Sequence, residues 1–219
     1  MSIFSGISLP ETIYEASSQY NQDIKVLKVG EVLKLVVDGF TQSLSKNSKN
    51  VSKLYWGGVV NVLKEQIPEN PPKNILILGM GGGTIPHLLR KEFPTAKLVS
   101  VEIDPVIVEI ARKYFDLDSI PDHQVVVGDA FRFVVDPESY GFSKHQFDVI
   151  IVDVTLGDES SDLIASGNFL SALKSLGIPG SLIIFNRIYL QKYQDKVHCF
   201  MDLLAGFFSN IQTKIIAGY

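Results

Sequence analysis

The sequence predicts an α/β chain, a doubly wound and mainly parallel sheet preceded by a small antiparallel β unit. Three observations carry that reading. Asn74-Ile-Leu-Ile-Leu78 is an apolar run of strand length, followed at once by Gly79, Gly81, Gly82 and Gly83, and then by Ile85, Leu88 and Leu89 at helical spacing. Val99 to Ile103 reads as the next parallel strand, with Glu102 and Asp104 at its end, about 20 residues beyond the glycines. From there strand-like and helix-like segments alternate to the end of the chain, which argues for a parallel sheet covered on both faces.

The elements follow in order. Thr12 to Ala16, Asp23 to Val29 and Val32 to Val37 alternate apolar and polar residues, and Gly30-Glu31 supplies a hairpin turn, so 1–50 reads as a β-hairpin unit. Residues 51–73 read as a connecting helix, Val51 to Ile67, and a Pro-rich linker. Gly57-Gly58 in mid-helix costs about 1 kcal/mol per glycine and points to close approach of another backbone or a ligand. Residues 74–219 form the sheet domain. Asp104 is a good N-cap, Pro105 suits the first helical position, and Val106 to Tyr114 carries the helix. Gln124 to Val127 and Phe147 to Asp153 are strands three and four, ending near Asp129 and Asp153. Asn168 to Leu176 is helical, Pro179-Gly180 a turn and Ser181 to Phe185 strand five. Lys192 to Phe208 reads as an amphipathic helix and Ile211 to Ile216 as a sixth strand.

Composition narrows the function. With 219 residues, 46% hydrophobic and 20% charged, this is an ordinary globular composition. A net charge of −4 gives no electrostatic case for nucleic acid or an anionic membrane. The four histidines lack metal-ligand spacing, and the single Cys199 cannot form an internal disulfide; its apolar surroundings suggest a buried thiol. The N-terminus shows no basic-then-apolar signal pattern and no apolar run reaches membrane-spanning length, so a cytoplasmic protein is expected, without metal, nucleic acid or membrane.

The glycine turn brings backbone close to a ligand, and the helix start behind it offers N–H groups to an anionic group. Glu102, Asp129 and Asp153 end strands of one sheet, and in such sheets ligands bind outside the carboxyl ends of the strands. Glu102 is placed to accept ribose hydroxyls. Carboxylates suit hydroxyls, an adenine amino group and an amine, and suit a pyrophosphate badly. An adenosine-type ligand carrying a cation is favoured over a dinucleotide. Thr84 in place of the third glycine of Gly-x-Gly-x-x-Gly also disfavours an NAD-dependent oxidoreductase.

Tyr20-Asn-Gln-Asp-Ile-Lys-Val26, Asp38-Gly-Phe-Thr-Gln-Ser43, the glycine loop, Val101-Glu-Ile-Asp104, Gly128-Asp-Ala130 and Val149-Ile-Ile-Val-Asp153 follow one another in the order seen in spermidine synthases. The chain resembles that family across nearly its whole length. It resembles more closely still the spermidine-synthase-like proteins that include methyltransferases, which share Gly-x-Gly-Gly-Gly-Thr/Ser-x-Pro, here Gly79 to Pro86. The resemblance implies a Rossmann-like S-adenosylmethionine-dependent methyltransferase fold. It implies that the adenosyl ligand is held by Gln22, Gly79, Gly81, Gly83, Glu102, Asp129 and Ala130. Asp153 falls on the acid that activates the attacking amine, and Gln42, Tyr55 and Asp158 fall toward the acceptor.

The departures choose between activities. Aminopropyltransferases carry an aspartate in the glycine loop that holds the ammonium of decarboxylated S-adenosylmethionine; this loop has Gly82. Their acceptor loop Asp-Ser-Ser/Thr-Asp-Pro becomes Asp153-Val-Thr-Leu-Gly-Asp158, and their Tyr-x-Glu becomes Tyr55-Trp56-Gly57. Tyr55 and Trp56 suit an acceptor wall or an ordinary core role equally. The leading expectation is therefore an S-adenosylmethionine-dependent methyltransferase acting on a small-molecule amine or a protein. The alternatives are an aminopropyltransferase making polyamines and a silent nucleoside-binding protein. The resemblance also calls for a last strand that the sequence lacks. An open edge on Ser181 to Phe185 is expected, filled by Ile211 to Ile216 or by a second copy in a homodimer.

Overall fold

The computed structural model describes residues 9–67, 70–154, 166–187 and 193–216. Two sheets organise them. The first is antiparallel, in the order β1 (Glu11–Ala16), β2 (Ile24–Val29), β3 (Val32–Val37) and β4 (Phe40–Leu44). A short 3-10 turn, Val51–Lys53, leads into α1 (Tyr55–Gln66). The second sheet comprises β5 (Asn74–Leu78), β6 (Lys97–Glu102), β7 (His123–Val127), β8 (Phe147–Val152) and β9 (Gly177–Phe185). All its pairings are parallel, in the order β7-β6-β5-β8-β9. The intervening helices are α2 (Thr84–Glu92), α3 (Pro105–Tyr114), α4 (Ala130–Val135), α5 (Gly167–Leu176) and α6 (Gln194–Ala205).

The order reverses at β5, so chain leaves β5 and β8 in opposite directions and a crevice opens above their carboxyl ends. Ile75, Leu76, Ile77 and Leu78 are fully buried, which is why β5 reads as an unbroken apolar run. One face packs α1 and α2 residues such as Leu63 and Leu89 against Ile75 and Ile77. The other packs Phe133, Phe169 and Leu173 against Leu76 and Ile150. The N-terminal sheet lays Ile24, Val26, Leu35 and Val37 on Ile107, Ile110 and Phe115 of α3 and its C-cap, so the small unit sits beside the carboxyl ends of β5 and β6.

Several expectations change. Phe40–Leu44 is a fourth strand of the N-terminal sheet. Pro179-Gly180 lies within β9, where the pairing shifts register between Phe147 and Val149. Proline donates no hydrogen bond, and an edge strand tolerates that. Ile211 to Ile216 is not a strand. That segment runs along α1, where Lys214 pairs with Glu65 at 2.6 Å and Gln66 donates to Gln212 at 3.2 Å. Its apolar end packs in the room left by Gly58, where a Cβ would stand 2.6 Å from Ile216. At Gly57 the close neighbour is the Ser52 backbone, whose carbonyl oxygen would lie 2.2 Å from a Cβ. β9 is thus one edge of this sheet among the described residues, with β7 at the other, and Ile211 to Ile216 does not pair with it. Cys199 is exposed on α6, against the expectation of a buried thiol.

Candidate active site

The glycine loop begins where β5 ends. Gly79 has φ +87°, and a Cβ there would lie 2.4 Å from the Asp153 carbonyl oxygen, so glycine is required by both backbone and neighbour. Its N–H donates to Val101 O at 2.9 Å, while the Asp153 N–H donates to Leu78 O at 2.8 Å. The parallel registers therefore bring the ends of β5, β6 and β8 together.

Glu102 sits at the centre. Its Oε2 accepts the N–H groups of Met80 at 3.1 Å and Gly81 at 3.0 Å, and its Oε1 accepts that of Asp104 at 3.1 Å. The Gly82 N–H goes to Ser43 Oγ at 2.7 Å and the Gly83 N–H to Met80 O at 3.1 Å. From Gly79 to Gly83 every loop N–H is bonded within the protein. Glu102 takes two of these N–H groups, Ser43 one, and the carbonyls of Val101 and Met80 the other two. A carboxylate has about four acceptor positions, so Glu102 keeps room for roughly one further hydroxyl without releasing a loop N–H. Burial raises the Glu102 pKa, the three N–H groups oppose that, and the Asp104 charge adds to it.

Asp129 caps α4: its Oδ1 accepts the N–H groups of Phe131 at 2.6 Å and Arg132 at 3.1 Å. The second oxygen suits an adenine amino group, and half-buried Ala130 opens the helix with no bulk. Asp104, fully buried, caps α3 through Val106 N at 2.9 Å. It also binds the loop before β2, accepting from Ser18 Oγ and from Asn21 Nδ2 at 2.6 Å. That clasp fixes the loop bearing Gln22, which is exposed.

An open groove runs between α1 and β9, and Gln42, Tyr55, Asp153 and Asn186 are among the residues that line it. Asn186 Nδ2 donates to Asp153 Oδ1 at 2.8 Å. Burial pushes the Asp153 carboxyl up to about 6; hydrogen bonds from Tyr55 and Asn186 pull it down, and the Glu102 charge raises it. Tyr55 and Trp56 both line this groove and both pack on the α1 side of the core, Trp56 the more deeply buried; of the two, Tyr55 reaches the Asp153 carboxyl. Asp158 lies outside the described residues.

Sequence reasoning missed Asn186 and Ser43. Asn186 directly follows a parallel strand, the position that singled out the acids, so the same rule could have found it. Ser43 closes the Asp38 to Ser43 stretch that carries the resemblance, and nothing else in the sequence marks its side chain.

The donor set fits an adenosyl ligand: acceptors for hydroxyl and amino groups at β6 and α4, and a primed carboxylate at β8. Among the described residues no group of three or more His, Cys, Asp or Glu could hold a metal ion, and no helix is long and apolar enough to cross a membrane. Fold and site together define a Rossmann-like α/β protein of the S-adenosylmethionine-dependent methyltransferase fold. A model of the Spermine/spermidine synthase domain matches residues 54–211, and the chain belongs to that family.

Its relatives are transferases of two kinds. A polyamine aminopropyltransferase of Vibrio vulnificus is 29% identical over 144 residues, 65% of this chain and 47% of that protein. The human eEF1A lysine and N-terminal methyltransferase is 27% identical over 123 residues, 53% of this chain and 18% of that protein. The chain thus spans about half the length of the first relative and less of the second. The crystal structure of spermidine synthase from Thermotoga maritima superposes with a TM-score of 0.66 at 18% identity, over 90% of this chain and 64% of that one, a likeness of fold.

Proposed function

We propose that this chain is a transferase using S-adenosylmethionine, and specifically a methyltransferase that acts on an amine of a small molecule or a protein. The observation that carries the choice is position 82. It bears no carboxylate to receive the ammonium of a decarboxylated tail, and a Cβ there would lie 2.8 Å from that of Ser43. The methyltransferase among the relatives supports the same reading.

In this reading Glu102 accepts a ribose hydroxyl, Asp129 receives the adenine amino group, and Gln22 closes over the nucleoside from the clasped loop. S-adenosylmethionine supplies an electrophilic methyl group on a sulfonium. Asp153 orients the incoming ammonium and takes its proton, leaving a nitrogen lone pair free to attack. Asn186 and Tyr55 hold the carboxylate in place, and Gln42 lines the acceptor path. Alignment in the groove supplies the remaining advantage.

Aminopropyl transfer to a polyamine is the second reading, favoured by the Vibrio vulnificus relative and by the same amine-ready Asp153. Mass spectrometry of amine and protein acceptors incubated with each adenosyl compound separates the two. The proposal expects a methyl increment that depends on S-adenosylmethionine; an aminopropyl increment would replace it with the second reading. With a broad acceptor set, absence of either increment would favour a silent nucleoside-binding protein.

A further inference from the structure

Gly57 and Gly58 stand side by side in α1 and are glycines on account of different neighbours. At Gly57 the Ser52 backbone leaves no room for a side chain. At Gly58 the neighbour is a side chain from a distant segment. A Cβ there would lie 2.6 Å from Ile216 Cγ2, 2.7 Å from Cδ1 and 3.0 Å from Cγ1. Alanine is the better helix former, so helix formation gives no reason for glycine at 58. Seating Ile216 does. The notch also lies close to the chemistry, because Gly58 is about one helical turn beyond Tyr55, whose side chain hydrogen-bonds Asp153.

Residues 209–216 pass from the end of α6 to α1, and all of them line the open groove. The two ends of this segment are held differently. At the α6 end Ile211 packs with the cluster around Phe169, and Lys174 Nζ donates to the Phe207 carbonyl at 2.8 Å. At the α1 end the polar contacts are exposed: Lys214 reaches Glu65 at 2.6 Å, and Gln66 donates to Gln212 at 3.2 Å. Exposed ion pairs hold weakly and are screened by salt. Ile215 is 73% exposed, so the apolar hold at this end comes from Ile216 in its notch. One end is an anchor and the other a latch.

We propose that residues 209–216 form a hinged strap that gates the groove: anchored at α6 and latched on α1 by Ile216 in the Gly58 notch, it controls the access of an acceptor to Asp153. The role rests on the reading above, in which the groove is the acceptor side. With the strap latched, α1, β9 and the strap wall the groove. Released, the groove opens along the edge of β9 and admits an amine carried on a larger molecule.

The test measures the latch and the access separately, on the full chain. Trypsin cleavage after Lys214 reports release of the strap. Modification of Asp153 by a water-soluble carbodiimide and glycine ethyl ester, mapped by mass spectrometry, reports access, with the exposed Asp118 as reference. Gly58→Ala evicts Ile216 and Ile216→Ala empties the notch. Each should raise both rates by about tenfold, as local opening becomes easier, and leave Asp118 unchanged. Glu65→Gln should raise them less and remove the salt dependence that the parent shows. Thermal midpoints guard against misfolding: alanine at 58 should lower the midpoint in the parent and raise it in the Ile216→Ala background, the coupling expected of residues in contact. The same sign in both backgrounds, or a Gly58→Ala variant cleaved and modified as slowly as the parent, would overturn the latch. Faster cleavage with Asp153 no more accessible would overturn the gate. If the parent transferred neither a methyl nor an aminopropyl group to any acceptor, the acceptor reading would fall and the gate with it, while both rates would still report the latch.

Discussion

Glu102 and Gly81 are joined by a hydrogen bond of 3.0 Å, the loop N–H donating to the carboxylate that ends β6. The same oxygen holds Met80 at 3.1 Å. A residue read from sequence as a ligand contact is therefore also the brace of the glycine loop. Glu102→Ala should weaken adenosyl binding by about 1.5–3 kcal/mol, the range for a hydrogen bond to a charged group. It should also lower fold stability by about 1–3 kcal/mol, since three N–H groups lose their acceptor. Calorimetry and denaturant unfolding check the two effects; binding lost with stability intact would remove the bracing role, and the converse the ligand role.

Asp153 makes the rate depend on pH. Its carboxyl lies at about 6, raised by burial above the ordinary 3.8, so it is mostly ionised at neutral pH. The pH profile of kcat/KM should fall as pH drops through about 6, and Asp153→Asn should abolish that limb. The stability sign is opposite. The folded state binds the proton more tightly than the unfolded one, so stability falls as pH rises from 3.8 through about 6. Asp153→Asn should flatten that slope, and an unchanged slope would assign the titration to another group.

Asp153→Asn should also separate chemistry from binding. Turnover should fall by roughly 10² or more, as for loss of a general base, while the adenosyl dissociation constant stays nearly constant. Steady-state kinetics beside calorimetry reads both. Equal loss of the two would make Asp153 a binding residue.

Asn21→Ala tests the clasp on Asp104 without touching the α3 cap, which uses the other oxygen. Losing this bond to a charged group should raise the adenosyl dissociation constant several-fold, with kcat little changed. A change in kcat alone would place the loop on the acceptor side.

Much of this was legible in the sequence, for reasons that differ by residue. Asn74 to Leu78 is buried on both faces and so reads as a continuous apolar run, and Asp104-Pro105 is a local cap that needs no tertiary context. Glu102, Asp129 and Asp153 stand out from strand ends alone, and the parallel pairing puts the ends of β6, β7 and β8 at one edge of the sheet. Ile211 to Ile216 misled because its apolar residues have separate partners invisible to periodicity: Ile216 packs on α1 in the gap at Gly58, Ile211 against the cluster around Phe169, and Ile215 is exposed. Ser43 was hidden for the same physical reason. A buried serine is justified only by the loop N–H it receives, and that loop lies 39 residues away in the chain.

The central claim is the identity of the adenosyl compound, and titration calorimetry of the unmodified chain tests it most directly. S-adenosylmethionine should bind more tightly than its decarboxylated form, because no carboxylate at position 82 receives a lone ammonium. A clear preference for the decarboxylated form would contradict the methyltransferase account and move the chain to the aminopropyltransferases.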